Sequence, residues 1–394
     1  MNTLDWVIIG GGIHGVHIAV RLLDEAGVAP ERLCIVDPGE RLLARWRTCT
    51  QTTGMRHLRS PAVHNLDSSP WSLKEYASAR KPSVSGLFAR PYSRPQLELF
   101  NEHCDAVISA FNLHKLHVRS RAVGCSVGCD TVTVQLADGT EVTARNVVLA
   151  MGGGAHPERP SWAPDGDARV QHVFSSDFVG WPSTHEKLVV VGGGISAGQV
   201  ALRLVKEGHK VHLVSRHALR EHQFDSEPGW LGPKFMNGFR RETDVNKRRA
   251  MITAARYKGS VPRDVRRALR AKIAGGRLAW HQGQIDAFDG QAEEIALRLS
   301  TGDTLSVNRV LLATGFRAHR PGGDLVDQLV ESASLPCANC GYPIVDRSLR
   351  WHPRVYVSGP LAELELGPSS RNIAGARRAA ERLVGVVRAE ASVG

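Results

Sequence analysis

The chain has no apolar run of membrane length. Of its 394 residues 42% are hydrophobic, but the longest such stretches are strand-sized and cut by glycine, whereas a bilayer span takes about 20 consecutive apolar residues. No membrane partner is expected. Strand character begins at Trp6, directly after Asp5, so no charged-then-apolar export leader is expected either. Cysteine is sparse: seven residues, an odd set without a paired framework, fit a reducing, cytoplasmic setting better than a secreted one. Acidic residues are the scarcer charge, 39 against 50 lysines and arginines, for a formal net charge of +11. Such an excess invites a nucleic-acid reading. Yet the basic stretch Arg240 to Lys272, RRETDVNKRRAMITAARYKGSVPRDVRRALRAK, lacks the interleaved aromatics of a single-strand binder and matches no DNA-reading motif. No nucleic-acid partner is expected; the stretch reads as a solvated helical face or as a basic wall beside a phosphorylated cofactor.

What the chain does have is one pattern twice. WVIIGGGIHGVHIAVRLL (Trp6 to Leu23) and LVVVGGGISAGQVALRLV (Leu188 to Val205) each run from an apolar strand through three glycines into apolar residues at helical spacing. In the first copy Gly10, Gly12 and Gly15 satisfy G-x-G-x-x-G. The first glycine makes the turn, the second admits a pyrophosphate to the backbone, and the third lets helix and strand pack closely. The helix N-terminus then holds the anion. Asp37, closing the next strand RLCIVD, is placed to accept hydrogen bonds from a ribose diol. In the second copy Gly192, Gly194 and Ala197 make G-x-G-x-x-A, and the following strand ends in Ser215 and Arg216 with no carboxylate. An acid there would repel a 2′-phosphate and Arg216 would pair with one, so the second nucleotide is expected to be NADPH.

Between the copies, Pro38 to Pro95 is irregular and rich in proline, serine, arginine and histidine, too long for a mere connection and so expected to be functional surface. SRPQLELFNEHCDAVISAF reads as a helix. Arg119 to Ala150 alternates with period two, with a hairpin at Asp138-Gly139. Strands running into small residues recur at LLATGF, with Ala313 and Gly315, and at VYVSGPLAELELGPSSRNIAGARRAAERLVGVV, with Gly359 and Gly367. These echoes predict an α/β chain of two Rossmann-like dinucleotide-binding domains. The NADPH domain (181–305) is inserted into a split outer domain (1–180 and 306–394).

With these motifs the chain resembles the flavoproteins that carry FAD in the split domain and NADPH in the inserted one. GGGISAGQ, with Ser196, and QHVFSSDF are similar to stretches of the class B flavin monooxygenases, in particular the N-hydroxylating branch that includes lysine and ornithine hydroxylases. RWRTCTQTTGMRHLRSP resembles the loop passing the flavin ring, where a tryptophan (here Trp46) and then a methionine (Met55) recur. DSEPGWLGPKFMNGF resembles the segment carrying an asparagine near nicotinamide and substrate, here Asn237. The resemblance implies FAD and NADPH as cofactors, and O2 and a small-molecule substrate as partners. It also implies N-hydroxylation of an amine through a C4a-(hydro)peroxyflavin. Met55 would pack on the ring, and Arg56 or His57 would donate a hydrogen bond near it. Gly359 and Gly367 would form a third FAD contact, and Ala313 to Gly315 would approach a nucleotide closely. The sequence departs from the amino-acid hydroxylases where a lysine holds the substrate carboxylate: Pro61 falls near that position, with Arg59 beside it. The same flavin chemistry could oxygenate sulfur. A competing reading rests on Cys337 and Cys340 in CANC, a dithiol that would make the chain an NADPH-dependent reductase of a disulfide or quinone. No metal site is expected, and the sequence leaves a homo-oligomer open.

Overall fold

The apolar run after Asp5 becomes a central strand because both its faces are covered. In a computed structural model that describes residues 3–80, 86–154 and 156–392, β1 (Leu4–Ile9) has Trp6, Val7, Ile8 and Ile9 all buried. It leads through the glycines into α1 (Ile13–Asp24), which buries Val16, Ala19 and Val20. β2 (Leu33–Val36) then pairs parallel to β1.

The stretch expected to be irregular contains two helices, α2 (Ala44–Thr53) and α3 (Ser72–Arg80); its residues 81–85 lie outside those described. α2 has no apolar stripe, and only Thr50 and Thr53 are buried. Its threonines bond back to the helix instead: Thr48 Oγ1 to the Ala44 carbonyl at 3.1 Å and Thr50 Oγ1 to that of Trp46 at 2.9 Å. The expected helix follows as α4 (Leu97–Ala110). After β3 (His117–Val118) the alternating region forms β4 (Ala122–Val127), β5 (Val132–Leu136) and β6 (Glu141–Leu149). The turn from β5 to β6 lies at Asp138, whose Oδ1 accepts the Thr140 N–H at 3.0 Å. β6 returns alongside β1, pairing Ile9 with Leu149.

A second sheet then builds from β7 (Val170–His172), β8 (Lys187–Val191) and β9 (Lys210–Ser215), with α5 (Ile195–Lys206) between β8 and β9. The basic stretch supplies the end of α6 (Pro233–Arg241), then α7 (Val245–Ala255) and most of α8 (Arg263–Ala274). β10 (Leu278–Gln282) precedes an antiparallel meander of β11 (Ile285–Asp289), β12 (Ile295–Leu299) and β13 (Thr304–Val307), and β14 (Arg309–Leu312) re-enters the sheet. The parallel order is β10-β9-β8-β14-β7. After α9 (Gly323–Ser332), β15 (Arg350–His352) and β16 (Val355–Val357) complete the first sheet in the order β15-β16-β6-β1-β2-β3. α10 (Ile373–Ala391) lays Ala380 and Leu383 into one core with Val16 and Val20 of α1.

Sheet membership moves the expected borders outward. β7 lies before residue 180 and β14 after 305, yet they pair with each other, Val170 opposite Val310. The two crossings between units lie side by side, where Pro157 bridges Phe316 and the Glu158 N–H donates to the Gly315 carbonyl at 2.9 Å. We place the borders there. Among the described residues no helix is long and apolar enough to cross a membrane.

Candidate functional site

Both glycine loops have the close approaches that the pattern demands. Gly10 has φ +115°, and a Cβ there would lie 2.7 Å from the Ala150 carbonyl oxygen; at Gly15 it would lie 1.8 Å from that of Gly10. At Gly12 it would meet nothing within 4 Å, so this residue faces open space at the N-terminus of α1, where an anion is favoured. Asp37 braces the loop: Oδ2 accepts the Gly11 N–H at 2.7 Å and Oδ1 that of Gly39 at 2.8 Å, and each oxygen keeps a lone pair for a ribose hydroxyl. Gly15→Ala is expected to leave the purified protein without flavin, because backbone blocks the added methyl; absorbance at the flavin band reads this directly.

In the second loop a Cβ at Gly192 would lie 2.4 Å from the Ala313 carbonyl oxygen, and one at Gly194 would approach only Gly259 Cα, at 3.7 Å. Gly192, Gly194, Ser196, Ala313 and Gly315 line a cavity of about 890 Å³; Ala197 is buried behind them. At its mouth stand Arg216, Arg220 and Lys258, none of which makes an ion pair among the described residues. These fit a 2′-phosphate. His217 also lines the cavity, its ring wedged against Gly193 and Gly259. Neither Lys258 nor His217 was legible as a site residue, since no period or motif marks them.

The cavity is also walled by Pro368, Arg371 and Asn372 of the outer domain, just after Gly359 and Gly367 in the chain. Here the basic stretch acquires its partners. Glu363 is fully buried and receives Arg249, Arg256 (Nη2 at 2.6 Å) and Arg371 (Nε at 2.8 Å); Glu365 receives Arg248 at 3.1 Å and Arg382 at 2.9 Å. Burial alone would push the Glu363 carboxyl up, but hydrogen bonding and charge from Arg371, with the charges of Arg256 and Arg249, bring it down to about 2. α7 is thus tied across the domain border by buried ion pairs rather than presented as a solvated face.

The residues expected nearest the chemistry lie elsewhere. Trp46 donates from Nε1 to Asn101 at 3.1 Å and packs on Phe100. Met55 is half-buried against the core beneath α1, and Arg56 is exposed. His57 bridges to Gln96, and burial, then the charge of Arg94, hold its imidazole below the ordinary value. Asn237 is exposed on α6, which turns Met236 inward instead, against Gly367. None of Met55, Arg56, His57 and Asn237 lines the cavity. Arg59 does, but its guanidinium is spent on Asp225, Ser260 Oγ and the carbonyls of His222, Gln223 and Phe224.

Residues 7–154 match a family model described as FAD-NAD(P)-binding. No curated protein matches the chain. Among solved structures, the ornithine N-hydroxylase of Kutzneria sp. 744, determined with reduced FAD, NADP+ and L-ornithine, is 18% identical with a TM-score of 0.79, covering 99% of this chain and 100% of that one. The ornithine hydroxylase of Pseudomonas aeruginosa is 19% identical with a TM-score of 0.77 over 99% and 100%. The bacillithiol disulfide reductase of Bacillus cereus is 15% identical with a TM-score of 0.64 over 99% and 100%. Across nearly its whole length the chain therefore has the fold of the ornithine N-hydroxylases, with a FAD-NAD(P)-binding region at residues 7–154.

Proposed function

We propose that the chain is a monooxygenase dependent on FAD and NADPH that N-hydroxylates a small amine. The observation that carries this reading is the single cavity joining the second glycine loop to Pro368 and Arg371 of the outer domain, so that a nucleotide on one domain shares its space with a cofactor on the other. Bound FAD would supply acceptance of a hydride from NADPH and, with O2, transfer of one oxygen atom to the substrate nitrogen, the other oxygen leaving as water. The chain's own residues bind and orient. Gly10, Gly12, Gly15 and Asp37 hold the first nucleotide, and Gly192, Gly194 and Ser196 hold the second. Arg216 takes its 2′-phosphate.

The substrate class follows from the charge around Glu363. Three guanidiniums meet Glu363, and Arg371 Nη1 and Arg256 Nη1 make no hydrogen bond among the described residues. An amine bearing a carboxylate suits that charge better than a plain diamine. The test is NADPH consumption and hydroxylamine formation with L-ornithine and with putrescine. Hydroxylamine above background with L-ornithine supports the reading; NADPH consumption that neither amine raises, with no hydroxylamine, sinks it.

The dithiol reading loses its geometric support. Cys337 and Cys340 line no part of the cavity, and Cys340 Sγ accepts from Arg249 Nε at 3.3 Å. Changing both cysteines to serine should leave NADPH-dependent turnover close to the parent's, since neither lines the cavity. A disulfide reductase would lose its turnover altogether.

A further inference from the structure

The first glycine loop contains a histidine that the reading above leaves unused. His14 lies in the first turn of α1, between Gly12 and Gly15. Its Nδ1 pairs with Ser358 Oγ at 2.9 Å, and its ring stands where a Cβ on Gly359 would come within 3.6 Å of it. Nε2 is buried and has no hydrogen-bond partner among the described residues. The backbone carbonyls of Arg371 and Asn372, leading into α10, lie close enough to the ring to favour its charged form slightly, yet neither meets Nε2 with hydrogen-bond geometry. Three segments thus converge on one imidazole: the loop before α1, the turn at Gly359 and the entry to α10.

A buried nitrogen left unmatched costs about 1–3 kcal/mol, and phenylalanine or leucine would fill the same space without that cost. Burial, the largest cause, drops the His14 pKa to about 4. The first turn of a helix disfavours a cation as well. The ring is therefore neutral at pH 7, with one nitrogen donating and the other accepting. Ser358 Oγ settles one of them. The other is left for a group that the described residues do not supply.

We infer that His14 is a positioning residue for the flavin cofactor, its Nε2 reserved for a polar atom of the ribityl-pyrophosphate stretch of FAD. The inference rests on the reading that the first glycine unit holds FAD. Through Ser358 and the Gly359 turn, the same ring sets the distance between the pyrophosphate loop and the start of α10, so the contact would register both ends of the cofactor at once.

The test measures FAD dissociation from the full-length protein by flavin fluorescence, together with thermal unfolding of the apoprotein. His14→Phe combined with Ser358→Ala, which removes both partners of the buried 2.9 Å bond, should weaken FAD binding tenfold or more and leave apoprotein melting near the parent value. His14→Gln, which restores a polar group, should recover binding to within about threefold of the parent. Parent affinity should stay flat from pH 5.5 to 8. Undiminished FAD affinity in the double variant, failure of His14→Gln to keep it near the parent value, or a drop in the double variant's apoprotein melting that parallels its loss of FAD overturns the inference and leaves the monooxygenase reading standing. If the parent protein takes up no FAD, the cofactor reading itself falls, and the inference with it.

Discussion

Glu363→Gln should lower the unfolding free energy by about 3–5 kcal/mol, the range for removing one partner of a buried ion pair. The reason is the imbalance it creates: Glu363 is the buried carboxylate on which Arg249, Arg256 and Arg371 converge, and its neutralisation leaves three guanidiniums facing one another without it. Denaturant titration of parent and variant gives the difference. The pH dependence has a definite sign. A carboxyl held at about 2 in the folded protein, below the ordinary value of about 4.3, contributes stability fully present above that ordinary value. The contribution is lost as pH falls toward 2. The gap between parent and variant should accordingly be constant from pH 6 to 8 and narrow below about pH 4. A variant as stable as the parent at pH 7 would mean that the guanidiniums are satisfied elsewhere.

Arg216→Glu should reduce kcat/KM for NADPH at least 100-fold while leaving that for NADH within a few-fold. A hydrogen bond to a charged group contributes about 1.5–3 kcal/mol, or roughly 10- to 150-fold, and the reversed charge adds repulsion against the 2′-phosphate. Arg216 is exposed at the cavity mouth, so its replacement leaves no hole in the core, and folding is not at issue. Arg220 and Lys258 line the same mouth, which is why Arg216→Ala alone should cost less than the charge reversal. Steady-state rates with each nucleotide check it, and an equal loss for both would place the 2′-phosphate elsewhere.

The glycine units, the strands around them, the hairpin at Asp138 and the closing helix were legible because each carries a local signal: an apolar period, a turn residue, or a close approach only glycine tolerates. α2 was not, because its cohesion comes from threonine hydroxyls and docking rather than an apolar stripe. β7 was not assigned to the inserted unit, because a three-residue strand shows its sheet only through its pairing with β14. The arginines of α7 read as solvated since their carboxylates, Glu363 and Glu365, lie more than a hundred positions on. Asn237 and Met236 are neighbours on one helix, and the rotation that buries one exposes the other. Which of them faces the site depends on packing that sequence spacing does not report.

The order in which the two sheets become complete bears on how the protein is made. The inserted sheet is finished within residues 170–312, whereas the surrounding one waits for β16, whose Val357 lies beside Leu149. Chains emerging from the ribosome fold from their amino end, domain by domain, yet here the domain begun first is finished last. Until β16 and α10 arrive, Val7, Val147 and Leu149 lack the cover of Val355, Val357 and Leu361, and α1 lacks that of Leu383. The nascent chain thus passes through a stage with one nucleotide fold closed and the other holding an uncovered apolar sheet, and that half is where chaperones would act and where aggregation on overexpression would begin.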